Sequence, residues 1–322
     1  MNYKPILIVH GEPNSIFLEI FFKSLRYKKF KNPLVLICSQ KILKFQMKKL
    51  KFKMKIKIIK PSSLNKIKLN NKIINIIDVD YNEDLTFQKI SNKSNEYIKN
   101  CFETSFKILK SGITNNLING PISKTSFLNK KFLGITEYLA KKTRASNSAM
   151  LIYNKKLSVC PITTHLPLKF VSKNINKKKI IEKITLIDSF YKKNLHFKPK
   201  IAVLGLNPHC ETVDKFNEDE KILKPAIKYL SSKKIYLKGP YSADTAFLKK
   251  NRKNFDVIVG MYHDQVLTPI KTIFEFDAIN ITLGLPFIRV SPDHGPNQKM
   301  LGQNKSNPLS LVRAIEFLEK ID

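Results

Sequence analysis

The stretch from Val257 to Gly295, VIVGMYHDQVLTPIKTIFEFDAINITLGLPFIRVSPDHG, constrains the fold of this chain most. Val257-Ile258-Val259-Gly260-Met261 is a short apolar, β-branched run, the pattern of a strand covered on both faces, and it stops at Tyr262-His263-Asp264-Gln265. Strands covered on both faces belong to parallel sheets flanked by helices, and ligands in such sheets gather beyond the strands' carboxyl ends. Downstream, Lys271, Asn280 and Arg289 fall among apolar neighbours, where a charge is costly unless an anion answers it. This combination points to a small anionic substrate.

Similar runs recur along the chain. Ile6 to Val9, Leu34 to Ile37, Ile56 to Ile59, Ile73 to Ile77, Leu117-Ile118 and Ile201 to Leu204 read as strands, and Met150 to Tyr153 pairs with Leu157 to Ile162 as a hairpin. Helices are predicted from Ser15, as N-cap, to Leu25, and over Lys41 to Leu50, Glu96 to Leu109, Asn176 to Leu195, Asp219 to Leu230 and Leu309 to Leu318; another starts with Thr136 as its cap. Gly239 to Asp244 reads as a polar loop whose Asp244 faces a site. Strand, polar turn and helix in alternation make an α/β fold. With 322 residues, 43% of them hydrophobic, the chain exceeds the about 250–300 residues at which single cores stop growing, so two lobes are expected.

The formal charge of +33 invites a nucleic-acid partner, but only five of the 58 basic residues are Arg, the residue suited to paired recognition of bases and phosphates. The Lys excess is spread along the chain with Asn and Ile, as codons of an AT-rich genome produce, rather than clustered as a footprint. A basic nucleic-acid-binding protein is therefore the lesser alternative. Cys38, Cys101, Cys160 and Cys210 show no C-x-x-C spacing, which fits a reducing, cytoplasmic setting. No apolar run reaches the roughly 18 residues of a membrane span, and the N-terminal run is too short for a signal peptide.

Of six histidines, His165, His209 and His263 each follow a strand-like run. One histidine after one strand reads as an ordinary hydrogen-bonded loop residue. Three in the same context make convergence on one metal, with positions open for water or substrate, an equal reading. Cys210 beside His209 is a rival ligand that ranks below it. His196 ends a Lys-rich helix and reads as solvated, whereas His10 and His294, next to glycines, leave cofactor contact and plain turn both open. Lys271, Asn280 and Arg289 suit a phosphate pocket, Arg as a fork and Lys as a point charge.

With these residues in view, the chain resembles the 4-hydroxythreonine-4-phosphate dehydrogenase family over almost its whole length. The segments carrying the likeness are GEPNSI at 11–16, NGPISK at 119–124, TTHLPL at 163–168, GLNPHC at 205–210, GPYSADTAF at 239–247, MYHDQVLTPIK at 261–271 and NITLGLPFIRVSPDHG at 280–295, all in family order. The resemblance implies a two-lobed α/β/α fold like isocitrate and isopropylmalate dehydrogenases. One lobe would hold residues 1–125 with 285–322 and the other 126–284, with the active site in the interlobe cleft. It also implies a homodimer whose second subunit completes the site, a divalent metal (Zn, Mn, Co, Ni or Mg) on His165, His209 and His263, and substrate contacts from Thr136, Lys271, Asn280 and Arg289. Lys271, Asp244 and Asp264 match catalytic positions, and Asp293-His294-Gly295 is assigned to the cofactor. The implied reaction uses NAD, or NADP, to oxidise the C3 hydroxyl of 4-phosphooxy-L-threonine; the β-keto acid then loses CO2 to give 3-amino-2-oxopropyl phosphate.

Three departures stand out. Ile135 replaces the family's histidine in Gly134-Ile135-Thr136-Glu137, Pro296-Asn297 replaces Thr-Ala after Asp293-His294-Gly295, and Asn14-Ser15-Ile16-Phe17 replaces the glycines after the first Gly-Glu-Pro. No G-x-G-x-x-G occurs, which fits this family's cofactor mode rather than a Rossmann domain. Ile135 keeps a second substrate in view: a phosphorylated sugar acid such as a phosphothreonate or phosphoerythronate.

Overall fold

The computed structural model describes residues 3–83, 87–129, 131–132 and 134–321. The chain folds as two units, Met1–Phe132 with Pro286–Asp322, and Leu133–Leu285. The first runs β1 (Ile6–Val9), α1 (Phe17–Tyr27), β2 (Leu34–Cys38), α2 (Gln40–Lys49), β3 (Ile56–Ile58), β4 (Ile74–Asp78), α3 (Asn95–Lys110) and β5 (Asn116–Asn119). The second holds α4 (Ile135–Thr143), β6 (Ala149–Tyr153), β7 (Ser158–Pro161), α5 (Val171–Asn174), α6 (Lys177–Phe190), β8 (Ile201–Leu204), α7 (Lys224–Ser232), β9 (Leu237–Tyr241), α8 (Ala243–Ala246), α9 (Lys249–Arg252), β10 (Val257–Gly260), α10 (His263–Phe274) and β11 (Ile279–Leu283). The first unit is completed by β12 (Ile288–Pro292) and α11 (Leu309–Ile321).

In the first unit the strands lie in the order β3-β4-β2-β1-β5-β12, every neighbouring pair parallel. Its β1 is buried throughout, as a strand covered on both faces must be. The sheet grows from β1 toward β2 on one side and toward β5 on the other, so the turns beyond β1 and β5 meet: the Glu12 amide donates to the Pro121 carbonyl at 2.8 Å. Gly11 is required there, because its φ is 78° and a Cβ would stand 2.5 Å from that carbonyl oxygen. Helix α1 begins two residues after the expected cap, with Ser15 Oγ accepting from the Phe17 amide at 3.3 Å.

Just past β1, His10 is fully buried; its Nδ1 lies in hydrogen-bond reach of the Tyr97 hydroxyl at 2.9 Å, which accepts from the Ser39 amide at 3.1 Å. Burial pulls the His10 imidazole from 6.5 down to about 3. The unfolded chain therefore binds this proton first, and stability is lost as pH falls below 6.5 toward about 3. Glu12, raised above 4.5 by burial, works with the opposite sign, its contribution fading as pH rises through its folded pKa. Between about pH 7 and about pH 5, His10 accounts for about 2 kcal/mol of lost stability. Urea unfolding of His10→Gln at both pH values is expected to show that loss removed; the same loss in the variant contradicts this assignment.

In the second unit the order is β11-β6-β7-β10-β8-β9. The pairs β11–β6 and β6–β7 are antiparallel, whereas β7–β10, β10–β8 and β8–β9 are parallel. Its core gathers Ile152, Val159, Ala202, Leu204, Ile258 and Val266 from those strands and from α10. The expected loop at Gly239 to Asp244 is corrected: its first half belongs to β9, an edge strand that tolerates Gly239 and Pro240 because one side of its ladder is unclaimed. Helix α6 starts at its expected cap, Asn176 Oδ1 accepting from the Lys179 amide.

Candidate active site

The register of the three parallel strands decides where the histidines go. Gly260 of β10 lies level with Pro161 of β7, and Val259 with Val203 of β8, so all three carboxyl ends finish side by side. His263 lies three residues beyond β10, His165 four beyond β7 and His209 five beyond β8. The imidazoles of His165 and His263 are adjacent, with centroids 5.5 Å apart. His263 opens α10, and its Nδ1–H donates to Asp264 Oδ1 at 2.7 Å, a contact that fixes the tautomer and leaves the lone pair on Nε2. His209 stands apart: it is exposed, its φ is 54°, and Ser242 Oγ lies 3.4 Å from its Nδ1.

The strand ends are tied together by Gln265, whose Oε1 accepts from the Met261 amide at 2.6 Å while Nε2 donates to the Gly205 carbonyl at 2.8 Å. Thr163 Oγ1 donates to the Met261 carbonyl at 2.7 Å, so the loop carrying His165 is pinned to the end of β10. Lys271, half-buried, lies eight residues after His263 on α10, roughly 12 Å along the helix. Asp244 is exposed in the short α8.

The expectation that Thr136 caps its helix is corrected: Gly134 is the N-cap, in an extended conformation that leaves Thr136 inside the first turn. Thr136 is buried, and its Oγ1 lies 3.4 Å from Oγ1 of Thr282 on β11. Asn280, two residues earlier, presents its side chain to the same face of β11. Asn280 Oδ1 is buried without a hydrogen-bond partner among the described residues, an acceptor suited to a ligand's N–H or O–H. Gly134 also makes room for the metal-ligand candidate, since a Cβ there would stand 2.8 Å from the His165 ring and 3.0 Å from Glu137 Oε2. Glu137 Oε1 accepts from Thr164 Oγ1 at 3.0 Å, which braces the residue preceding His165.

Arg289 and the residues assigned to the cofactor belong to the first unit. Arg289 on β12 is 1% exposed, and its Nε donates to Asn119 Oδ1 at 2.6 Å across to β5. Burial pulls its pKa down to about 9, so it remains a cation at neutral pH in a setting that favours an anion beside it. The Asp293 amide donates to Ser310 Oγ at 2.8 Å, His294 Nδ1 donates to the Gly295 carbonyl at 2.9 Å, and the space a Gly295 side chain would fill is open. Two departures noted in the sequence touch here: the Ile16 amide donates to the Pro296 carbonyl at 3.2 Å.

The family described as Pyridoxal phosphate biosynthetic protein PdxA matches residues 29–318. A 4-hydroxythreonine-4-phosphate dehydrogenase of Sulfurihydrogenibium sp. is 40% identical over 319 residues, which cover 97% of this chain and 96% of that relative. The chain belongs to the PdxA family. A D-threonate 4-phosphate dehydrogenase of Salmonella typhimurium is 30% identical over 98% of both chains. The solved 4-hydroxythreonine-4-phosphate dehydrogenase of Klebsiella pneumoniae shares the fold at a TM-score of 0.83, with 28% identity over 99% of both chains. The protein is thus an oxidoreductase of the PdxA family, and among the described residues no helix is long and apolar enough to cross a membrane.

For the divalent ion expected from the sequence, the donor set fits in kind: three imidazoles at adjacent strand ends, two of them in ring contact and one with its tautomer held by a carboxylate. Their geometry is open, because among the described residues no three His, Cys, Asp or Glu side chains stand close enough together to hold a metal. Residues the sequence reading passed over are Gln265, Thr282, Ser242, Glu137 and Asp219. Gln265, Thr282 and Ser242 lie inside segments that carry the family likeness and Glu137 in the stretch where Ile135 departs from it, but their partners are distant in sequence.

Proposed function

We propose that this PdxA-family protein uses NAD, or NADP, and one divalent ion to oxidise 4-phosphooxy-L-threonine at C3. The keto acid formed then decarboxylates to 3-amino-2-oxopropyl phosphate. The observation that carries this reading is the placement of His165, His209 and His263 beyond three neighbouring parallel strands, with the first and last in ring contact. His165, His209 and His263 would hold the ion. A bound divalent ion supplies Lewis acidity toward the C3 hydroxyl, and a nicotinamide supplies the hydride acceptor.

The chain's own groups do the rest. Asp264 holds His263 in the tautomer whose lone pair is on Nε2. Lys271 and Arg289 answer the substrate's phosphate and carboxylate, the one as a point charge and the other as a fork. Thr136 and Asn280 hydrogen-bond its polar atoms, and Lys271, Asp244 or Asp264 takes the hydroxyl proton. Asp293, His294 and Gly295 are assigned to the cofactor, where open space at Gly295 supports close approach. Exposed Leu168, Phe170, Val213 and Phe216, on the loops that carry His165 and His209, support docking of a second copy of the chain. Three buried free cysteines suit a cytoplasmic setting.

The D-threonate 4-phosphate dehydrogenase relative favours a second reading, in which a phosphorylated sugar acid is the substrate. Comparing kcat/KM for 4-phosphooxy-L-threonine and D-threonate 4-phosphate decides between them. Turnover of the sugar acid alone overturns the first reading while leaving the dehydrogenase. Ile135 bears on this choice, because it offers no hydrogen bond where the family has a histidine. Ile135→His is expected to leave kcat for 4-phosphooxy-L-threonine within a few-fold and to lower KM modestly, since a phosphate remote from C3 contributes mostly uniform binding. A large change in kcat contradicts that assignment.

A further inference from the structure

We propose that Asp219 is a positioning residue that holds His209 in place for the ion; this rests on the reading of His165, His209 and His263 as ligands. His209 is exposed, and the hydrogen bond its ring makes, to Ser242 Oγ, is 3.4 Å long, so the imidazole is placed chiefly by the backbone beneath it. That backbone is gripped by one carboxyl group. Asp219 is fully buried; its Oδ1 accepts from the Leu206 amide at 2.8 Å, and its Oδ2 accepts from the Asn207 amide and from Asn207 Nδ2, each at 3.0 Å. The Asp219 amide in turn donates to Asn217 Oδ1 at 2.9 Å, anchoring the carboxyl to the turn that leads into α7.

The start of the loop is fastened as well, the Gly205 amide donating to the Tyr241 carbonyl at 2.9 Å and the Gly205 carbonyl accepting from Gln265. Just beyond these anchors His209 and Cys210 take φ values of 54° and 64° in succession. Two consecutive non-glycine residues in the left-handed region persist only where their surroundings hold them there. The parts interlock: a Cβ on Gly205 would stand 2.6 Å from Cys210 Sγ and 2.9 Å from Asp219 Oδ1. A buried carboxyl group taking three N–H donors from two successive residues makes the loop rigid just before His209. Asp219 touches no reacting group itself.

The test is a cobalt(II) titration of the full-length protein followed by visible absorption. Asp219→Asn keeps the side-chain volume but sets amide hydrogens against backbone donors. It is expected to weaken cobalt binding by about 10–100-fold, the range for groups that orient a ligand, and to change the band shape of the cobalt that remains bound. Asp219→Glu is expected to recover part of both. Cobalt bound by Asp219→Asn with wild-type affinity and spectrum overturns the inference alone, even where the melting temperature has dropped. Wild-type protein that takes up no cobalt overturns the ligand reading and the inference with it. Should Asp219→Asn fail to fold, hydrogen exchange on the wild-type protein decides: the Leu206 and Asn207 amides are expected to exchange as slowly as those of α7, and fast exchange there overturns the proposal.

Discussion

His263→Ala is expected to strip most of the bound divalent ion and nearly all turnover from the protein. His263 combines three features that the other two ligand candidates share only in part. It opens α10 directly beyond the central strand of the three, its ring meets that of His165 at 5.5 Å, and its tautomer is held by Asp264. Losing one imidazole of three removes a ligand bond outright, so the fall in ion affinity should exceed the about 10–100-fold that loss of a ligand-orienting group produces. Asp264→Asn supplies the comparison, since it leaves the ring while weakening its anchor, and it should fall inside that range. Ion content after dialysis and turnover with added ion check both. His165→Ala, His209→Ala and His263→Ala each retaining a full complement of ion would show the site to be misassigned.

Arg289→Lys is expected to lower kcat/KM by about 10–100-fold, equivalent to the roughly 1.5–3 kcal/mol of a charge-assisted hydrogen bond. The substitution keeps the charge but removes the planar fork, and with it the 2.6 Å bond from Nε to Asn119 Oδ1. Asn119 is 2% exposed, so its Oδ1 loses that donor where water cannot readily replace it. Part of the change will therefore appear as lost stability. Measuring kcat/KM well below the variant's melting temperature separates the two effects. Unchanged kcat/KM would remove Arg289 from the substrate's contacts.

What could be read from the residues alone follows from the kind of signal each element carries. The strands β1, β2, β8 and β10 are short β-branched runs buried on both faces, and that pattern survives with no knowledge of neighbours. The shared context of His165, His209 and His263 was legible for the same reason, because each follows such a run. Strands β9, β11 and β12 were not, since Gly239, Pro240, Asn280, Thr282 and Arg289 interrupt the apolar pattern with residues that read as turn or site. The exposed position of His209 goes with a left-handed backbone that no spacing announces in a non-glycine residue. The apolar setting of Arg289 was visible locally, whereas its partner Asn119 lies 170 residues away and comes into reach only through the pairing of β12 with β5. Asp219 reads as an ordinary residue near the start of a helix, and only the folded loop reveals what its carboxyl group grips.

The measurement that tests the central claim most directly is NADH formation from 4-phosphooxy-L-threonine, followed together with CO2 release, before and after the ion is removed by a chelator and then returned. The account predicts NADH and CO2 in equal amounts from the ion-loaded protein, loss of both on chelation, and recovery of both when zinc, manganese or cobalt is added back. Ion-loaded protein that forms no NADH from this substrate, or turnover that chelation leaves untouched in protein shown to be free of metal, would contradict it.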